Sequence, residues 1–233
     1  MTSSSKSDTA SGIPPNPRSP FKSESESNAP PDLRKEKARL EIVATPIGNL
    51  QDLTLRACER LKSVDLIACE DTRVTRKLLT AHNISTQLIA YHEHNAERVR
   101  PLIIEKLKSG QKVALVSDAG TPLISDPGYK LVQSVLEEGL EVTALPGPSA
   151  PLMALVVSGL PSDRFYFGGF LPVKTQARKK HLESLKGLRA TLIFLESAKR
   201  LLKTLATLSE VFGARDAAVA RELTKRFEEI KRG

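Results

Sequence analysis

The sequence predicts an α/β protein: a parallel sheet covered by helices, then a second, smaller α/β unit. Three observations carry that expectation. Between residues 40 and 145, short β-branched runs alternate with amphipathic stretches, and strand–helix–strand repeats fold as parallel sheets. Each of the first five strand candidates runs into a loop dense in Gly, Pro, Asp or His, which fix unusual backbone geometry or supply polar contacts. At "SGLPSDRF" (158–165) the pattern breaks, and it resumes afterwards in a shorter form, as at a boundary between two units.

The first 36 residues, "MTSSSKSDTASGIPPNPRSPFKSESESNAPPDLRKE", are rich in Ser and Pro and nearly free of large apolar side chains. Such a segment buries too little surface to offset the entropy of ordering, so residues 1–38 are expected to form a disordered tail. Asp8, Glu24, Glu26 and Asp32 argue against an organellar transit peptide, since those are poor in acids. Strands are expected at "LEIVAT" (40–45), "DLIACE" (65–70), "QLIAYH" (87–92), "KVALVS" (112–117) and "EVTAL" (141–145). The intervening helices are expected over 53–63, 73–82, 96–109 and 129–138. Past the break come "FYFGGF" (165–170), a helix over 176–185, "ATLIFLES" (190–197), a helix over 199–208 and "DAAVARE" (216–222). The expected division is a domain over 39–158 and a second over 159–233.

The totals exclude several classes. A chain of 233 residues can bury a core that needs no disulfide staples. Cys58 and Cys69 form no CxxC pair, so neither a disulfide framework nor a zinc site is indicated. No apolar run reaches the ~18 residues of a membrane span and no signal-peptide core is present, which points to a cytoplasmic protein without membrane contact. Charge is uneven. Residues 174–233 hold 15 Lys+Arg against 7 Asp+Glu, whereas the preceding 173 residues hold 20 of each, so the whole net charge of +8 lies in the last quarter. That asymmetry fits a lobe facing a polyanion such as nucleic acid, or a solvated basic surface.

In open parallel sheets the ligand site lies beyond the carboxyl ends of the strands. There the sequence places "TPIGNLQD", "EDTR", "HEHN", "SDAGTPLISDPG" and "PGPSA". No G-x-x-x-x-G-K-[ST], G-x-G-x-x-G or G-x-S-x-G is present, which disfavours a phosphate-bearing cofactor and a hydrolase nucleophile elbow. S-adenosyl-L-methionine carries no phosphate. Its adenine, ribose diol, ammonium, carboxylate and sulfonium call for apolar walls, acids and backbone groups, and loops like these can provide them.

Taken together and in order, "TPIGNLQDLTLRA", "ACEDTR", "YHEHN", "VSDAGTPLISDPG", "PGPSA", "GLPSDRFYFGGFLP" and "ARELTK" resemble the tetrapyrrole methylase superfamily, specifically its branch acting on ribosomal RNA. The resemblance implies two α/β domains with the ligand cleft between them and S-adenosyl-L-methionine as methyl donor. It implies transfer to the 2′-oxygen of a cytidine in the decoding region of 16S rRNA, with the small ribosomal subunit as partner and a homodimer as the working form. The family's donor pocket corresponds to Pro46, Ile47 and Gly48, to Gly120, Thr121, Pro122 and Ile124, to Ser149 and Ala150, and to Leu195 and Ala220. Thr121 stands where relatives acting on tetrapyrroles carry an Asp, and Asp118 in the same loop is a further candidate for the donor's polar contacts.

A ribose hydroxyl attacks only once its proton is drawn off, and a positioned base is worth roughly 10²- to 10⁴-fold. Glu70, Asp118 and Glu196, at expected strand ends, are the general-base candidates, with Asp71 beside them. Glu70 and Asp71 next to Arg73 could equally cap a helix with a local ion pair. Asp126 is expected to cap the helix that follows, with Pro127 at its first position. Arg73, His92, His94, Arg178, Lys179 and Lys180 are the candidate RNA contacts, the last three on an exposed helix face. His92 and His94 flank a single Glu with no third ligand at a suggestive spacing, so no metal site is expected. Two other readings stay open. A methylase of a small tetrapyrrole would share the donor pocket without needing the basic lobe. Similar chains continue beyond the point equivalent to Gly233, which leaves room for a non-catalytic RNA-binding remnant.

Overall fold

The computed structural model describes residues 38–233; the expected tail lies outside them apart from Ala38. Five strands form one sheet: β1 (Arg39–Val43), β2 (Leu66–Cys69), β3 (Leu88–Ala90), β4 (Val113–Val116) and β5 (Glu141–Leu145). Their order is β3-β2-β4-β1-β5, and every pairing is parallel. The central strands β2 and β4 are buried along their whole length and read as continuous apolar runs, as strands covered on both faces must. Helices α1 (Leu55–Ser63) and α2 (Thr72–Ala81) cover one face, where Ala57, Leu61, Leu78 and Leu79 meet Val43, Ile67 and Val116. Helices α3 (Ala96–Lys108) and α4 (Tyr129–Glu137) cover the other, where Val99, Ile103, Leu131 and Val135 meet Leu40, Ile42 and Leu115. Neighbouring strands β1 and β4 therefore send their helices to opposite faces, which opens a crevice at their carboxyl ends.

One residue breaks the apolar pattern. Glu41, in the middle of β1, is fully buried and accepts hydrogen bonds from Arg60 of α1, itself 4% exposed, and from Arg39 at 3.2 Å. The Arg60 contact is two-pronged, its Nε lying 2.8 Å from the carboxylate. A buried charge is tolerated only with such pairing.

The expected elements occur with shifts at their ends, and one helix and the last strand were not anticipated. α5 (Ala150–Ser158), "APLMALVVS", is apolar all round and so carries no amphipathic period to betray it. It ends at Gly159 in the left-handed conformation (φ 78°), a usual helix stop. Beyond it β6 (Phe165–Phe170) pairs parallel with β7 (Thr191–Leu195). α6 (Thr175–Ser184) and α7 (Leu201–Phe212) pack beside them around Leu171, Leu182 and Val211. An antiparallel hairpin of β8 (Ala218–Arg221) and β9 (Glu229–Arg232) closes the chain, and Arg232 ties it to α5 through hydrogen bonds to the carbonyls of Ser158 and Val157.

Arg178 corrects an expectation. Instead of lying on an exposed helix face it is 3% exposed, and its guanidinium donates to Thr207 Oγ1 at 3.1 and 3.2 Å and to the Val173 carbonyl. It joins α6 to α7 and has no face left for phosphate. Arg178→Ala is expected to lower stability by about 1–3 kcal/mol while leaving the salt dependence of RNA binding unchanged. Paired denaturant melts and binding isotherms check both halves.

Candidate functional site at the carboxyl ends of the strands

Three loops meet where β1 and β4 end. Thr45 and Gly120 form an antiparallel bridge, with N–H···O distances of 2.9 and 3.0 Å in the two directions. The buried Thr45 hydroxyl adds a 3.0 Å bond to the Ser117 carbonyl. Gly120 has φ of +85°, and a Cβ there would sit 3.4 Å from Ile47. The bridge holds it where only glycine enters without strain. Thr121 Oγ1 donates to the Pro148 carbonyl at 3.0 Å, which fastens the loop after β4 to the loop after β5. Pro46, Ile47, Gly120, Thr121 and Pro122 are thus brought together, with Ser149 and Ala150 one and two residues beyond Pro148 at the start of α5. Ile124 lies further along its loop with 45% of its surface exposed.

The later strands close on the same edge. A Cβ on Gly48 would collide with the Leu223 carbonyl at 2.9 Å and Lys225 at 2.5 Å, and one on Gly169 would sit 3.1 Å from Ser125 Oγ. The loop after β8 and the end of β6 therefore press against the loops after β1 and β4. Leu195 and Ala220, in the last strands, are half-buried in this second half. Leu123, Ser125, Glu222 and Thr224 all have positive φ without being glycine; strain of this kind collects at ligand sites.

Between these loops lies a cavity of about 280 Å³ lined by Ile47, Asp52, Thr54, Gly147, Pro148, Met153 and Thr224. Asp52 Oδ2 and Thr224 Oγ1 are buried and have no hydrogen-bond partner among the described residues. Apolar walls with two waiting polar atoms fit a ligand that is part aromatic and part hydroxyl-bearing, as an adenosyl group is. Sequence reasoning passed over Thr45, Asp52 and Thr224, although all three lie inside quoted motifs. A larger groove of about 560 Å³ between α3 and α4, lined by Arg100, Ile104, Glu137 and others, stands apart from these loops.

The acids sort themselves by their partners. Asp71 is the cap of α2: it accepts from the Arg73 backbone N–H at 2.8 Å and from its guanidinium, which holds its carboxyl down at about 2. Asp118 accepts the Asp71 N–H at 3.1 Å, linking the ends of β2 and β4. Asp126 does not cap α4. The N-cap is Gly128 (φ 136°), two residues later, where a Cβ would strike Leu115 at 2.7 Å. Burial, followed by the charge of Asp118, raises the Asp126 carboxyl, while the neighbouring Ser117 side chain pulls it down. Glu70 faces the same cluster: burial first, then Asp118 and Asp126, push its carboxyl up, while His92 pulls the other way. Two raised carboxyls on one edge make a group that holds its protons more readily than ordinary carboxyls do.

Glu196 behaves oppositely. Burial raises its pKa, but bonds from Thr204 Oγ1 (2.6 Å), the Ser197 N–H (2.7 Å) and Arg200 Nε (2.7 Å) outweigh that and lower it. Its oxygens are committed to the start of α7, which makes it a poor base. Arg73 is exposed but paired with Asp71, and Lys179 is paired with Glu210 at 2.5 Å. Lys180 is exposed. His92 and His94 lie edge to face, ring centres 6.0 Å apart, and His92 Nδ1 is buried without a partner among the described residues. No group of three or more His, Cys, Asp or Glu arranged to hold a metal occurs among the described residues, and no helix among them is long and apolar enough to cross a membrane.

Known proteins share this architecture. The protein named ribosomal RNA small subunit methyltransferase I of Mesorhizobium japonicum is 57% identical over 195 residues, covering 83% of this chain and 66% of that one. Its namesake in Rickettsia prowazekii is 51% identical over 197 residues, covering 84% and 70%. The chain thus spans about two thirds of the length of these relatives. The crystal structure of uroporphyrin-III-C-methyltransferase from Thermus thermophilus superposes with a TM-score of 0.59 at 20% identity, covering 84% of this chain and 85% of that one, a likeness that bears on the fold alone. Residues 39–233 match the family described as Tetrapyrrole (Corrin/Porphyrin) Methylases, and with the crevice, the paired loops and these relatives in view, the chain belongs to that family.

Proposed function

We propose that the chain is a ribosomal RNA methyltransferase that takes S-adenosyl-L-methionine as donor and methylates the 2′-oxygen of a cytidine in the decoding region of 16S rRNA. The single observation that carries the reading is the meeting of the strand-end loops at one sheet edge, beside a mainly apolar cavity that Asp52 and Thr224 help to line, with the carboxyls of Glu70, Asp118 and Asp126 on the same edge. The high identity to relatives named for ribosomal RNA supports the substrate class. The bound donor supplies an electrophilic methyl group. Ile47, Pro148 and Met153 provide apolar walls for it, Asp52 and Thr224 polar contacts, and the Thr45–Gly120 bridge a rigid floor, because displacement depends on positioning. Glu70 takes the ribose proton, helped by a basicity that its acidic neighbours raise, and Asp118 fixes the loop that carries this cluster.

Residues 39–158 and 159–233 act as the two domains whose facing edges form the cleft. The protein works in the cytoplasm on the small ribosomal subunit. It acts as a homodimer, for which the exposed apolar side chains Leu152 and Val156 of α5 offer a face. Calorimetric titration with S-adenosyl-L-methionine tests the reading at its base. Saturable heat that Thr224→Val and Asp52→Ala each weaken is the expected result, and a chain that takes up no donor would overturn it.

A further inference from the structure

The basic surplus of residues 174–233 has a geometry that counting charges does not reveal. Arg178 is buried and Lys179 is paired with Glu210. Other cations stand free. Lys174, Lys199 and Lys203 are exposed, and none forms an ion pair with a described residue. Lys174 follows β6 and precedes the first residue of α6; Lys199 follows β7, and Lys203 lies in the first turn of α7. Because β6 and β7 run parallel, all three sit at the carboxyl edge of that strand pair. Lys186 and Arg189, equally exposed, lie in the turn from α6 back to β7 and therefore at the opposite, amino edge.

The carboxyl edge is the one that faces the site, as the approach of Gly169 to Ser125 records. At that site stand Glu70, Asp118 and Asp126, where burial, and after it the neighbouring carboxylates, raise Glu70 and Asp126. Glu196 adds no free charge on the lysine side, since Arg200 and Thr204 hold it. The cleft thus has an acidic bank on the first sheet and a basic bank on the second.

We propose that Lys174, Lys199 and Lys203 form the contact surface for the RNA phosphate backbone at the site. This deepens the methyltransferase reading and rests on it. Phosphates repelled by the carboxylates settle on the lysine bank, which turns the ribose edge of the strand toward Glu70. Phosphate contacts set register and orientation without reading bases, so the surface positions the target nucleotide rather than choosing it.

The test compares two variants of the full chain, Lys174→Ala/Lys199→Ala/Lys203→Ala at the carboxyl edge and Lys186→Ala/Arg189→Ala at the amino edge. Binding of a short single-stranded RNA of decoding-region sequence is followed against salt. Each lost contact should make the log–log slope shallower by about 0.7, hence by about 2 for the first variant, with no change for the second. Lys→Arg at the same three positions should restore the slope. Donor titration on each variant stays at the wild-type value, which also shows that the fold is intact. An unchanged slope in the first variant, or an equal loss per charge in the second, overturns the surface and leaves the donor reading standing. A wild-type chain that binds donor but no RNA overturns both the surface and the RNA reading.

Discussion

Glu70→Gln is expected to slow methyl transfer by roughly 10²- to 10⁴-fold with donor affinity unchanged. The replacement keeps the shape and removes the basicity. Asp71, Asp118 and Glu196 cannot stand in with equal effect. Asp71 is tied to Arg73 with its pKa held at about 2, Asp118 is fixed by the Asp71 N–H, and Glu196 is lowered by three hydrogen bonds that overcome its burial. The Glu70 carboxyl is raised, by burial and then by Asp118 and Asp126. The base must be deprotonated to act, so a raised pKa moves the rising limb of the rate against pH above the range of an ordinary glutamate. Asp126→Asn removes one of the repelling charges and should bring that limb back toward lower pH, whereas it should not move in a variant of the distant Glu97. Full activity in Glu70→Gln would exclude it as the base.

The second large effect concerns stability. Glu41→Ala is expected to cost about 3–5 kcal/mol, because it withdraws the carboxylate from a guanidinium buried in the core. Glu41 is fully buried on the central strand β1, on the face covered by α1, and accepts from both Arg60 and Arg39. The loss should appear as a lower denaturation midpoint with an unchanged m-value. A cost below about 1 kcal/mol, the range of exposed pairs, would show that water reaches this pair.

Much of the fold was legible because each strand of the first sheet is a short β-branched run closed by turn chemistry, and that pattern is local. The site edge was legible for the same reason: loops that need Gly at Gly120 or Pro at Pro46 announce themselves. What was hidden depends on contacts far apart in sequence. α5 has no period because it is apolar all round, and so was assigned to no element. Arg178 looks like its neighbours Lys179 and Lys180 in a count of charges, yet helix geometry turns it toward Thr207 on α7. Glu196 was a reasonable base from its place at the end of β7, but Thr204, eight residues on, closes over it. Asp126 before Pro127 reads as a cap; Gly128, with a conformation few other residues adopt, moves the helix start beyond it. Asp52 and Thr224 are 172 residues apart and meet at one cavity only through the fold.

The proposed reaction moves a methyl group in this cleft to a ribose oxygen of ribosomal RNA. The most direct measurement incubates the chain with methyl-labelled S-adenosyl-L-methionine and small ribosomal subunits lacking the modification, digests the RNA to nucleosides and identifies the labelled species by mass. The account predicts label in a single 2′-O-methylcytidine, lost in Glu70→Gln. Label on a base carbon or nitrogen, label accepted by a tetrapyrrole in place of RNA, or no transfer by a chain that binds the donor would contradict it.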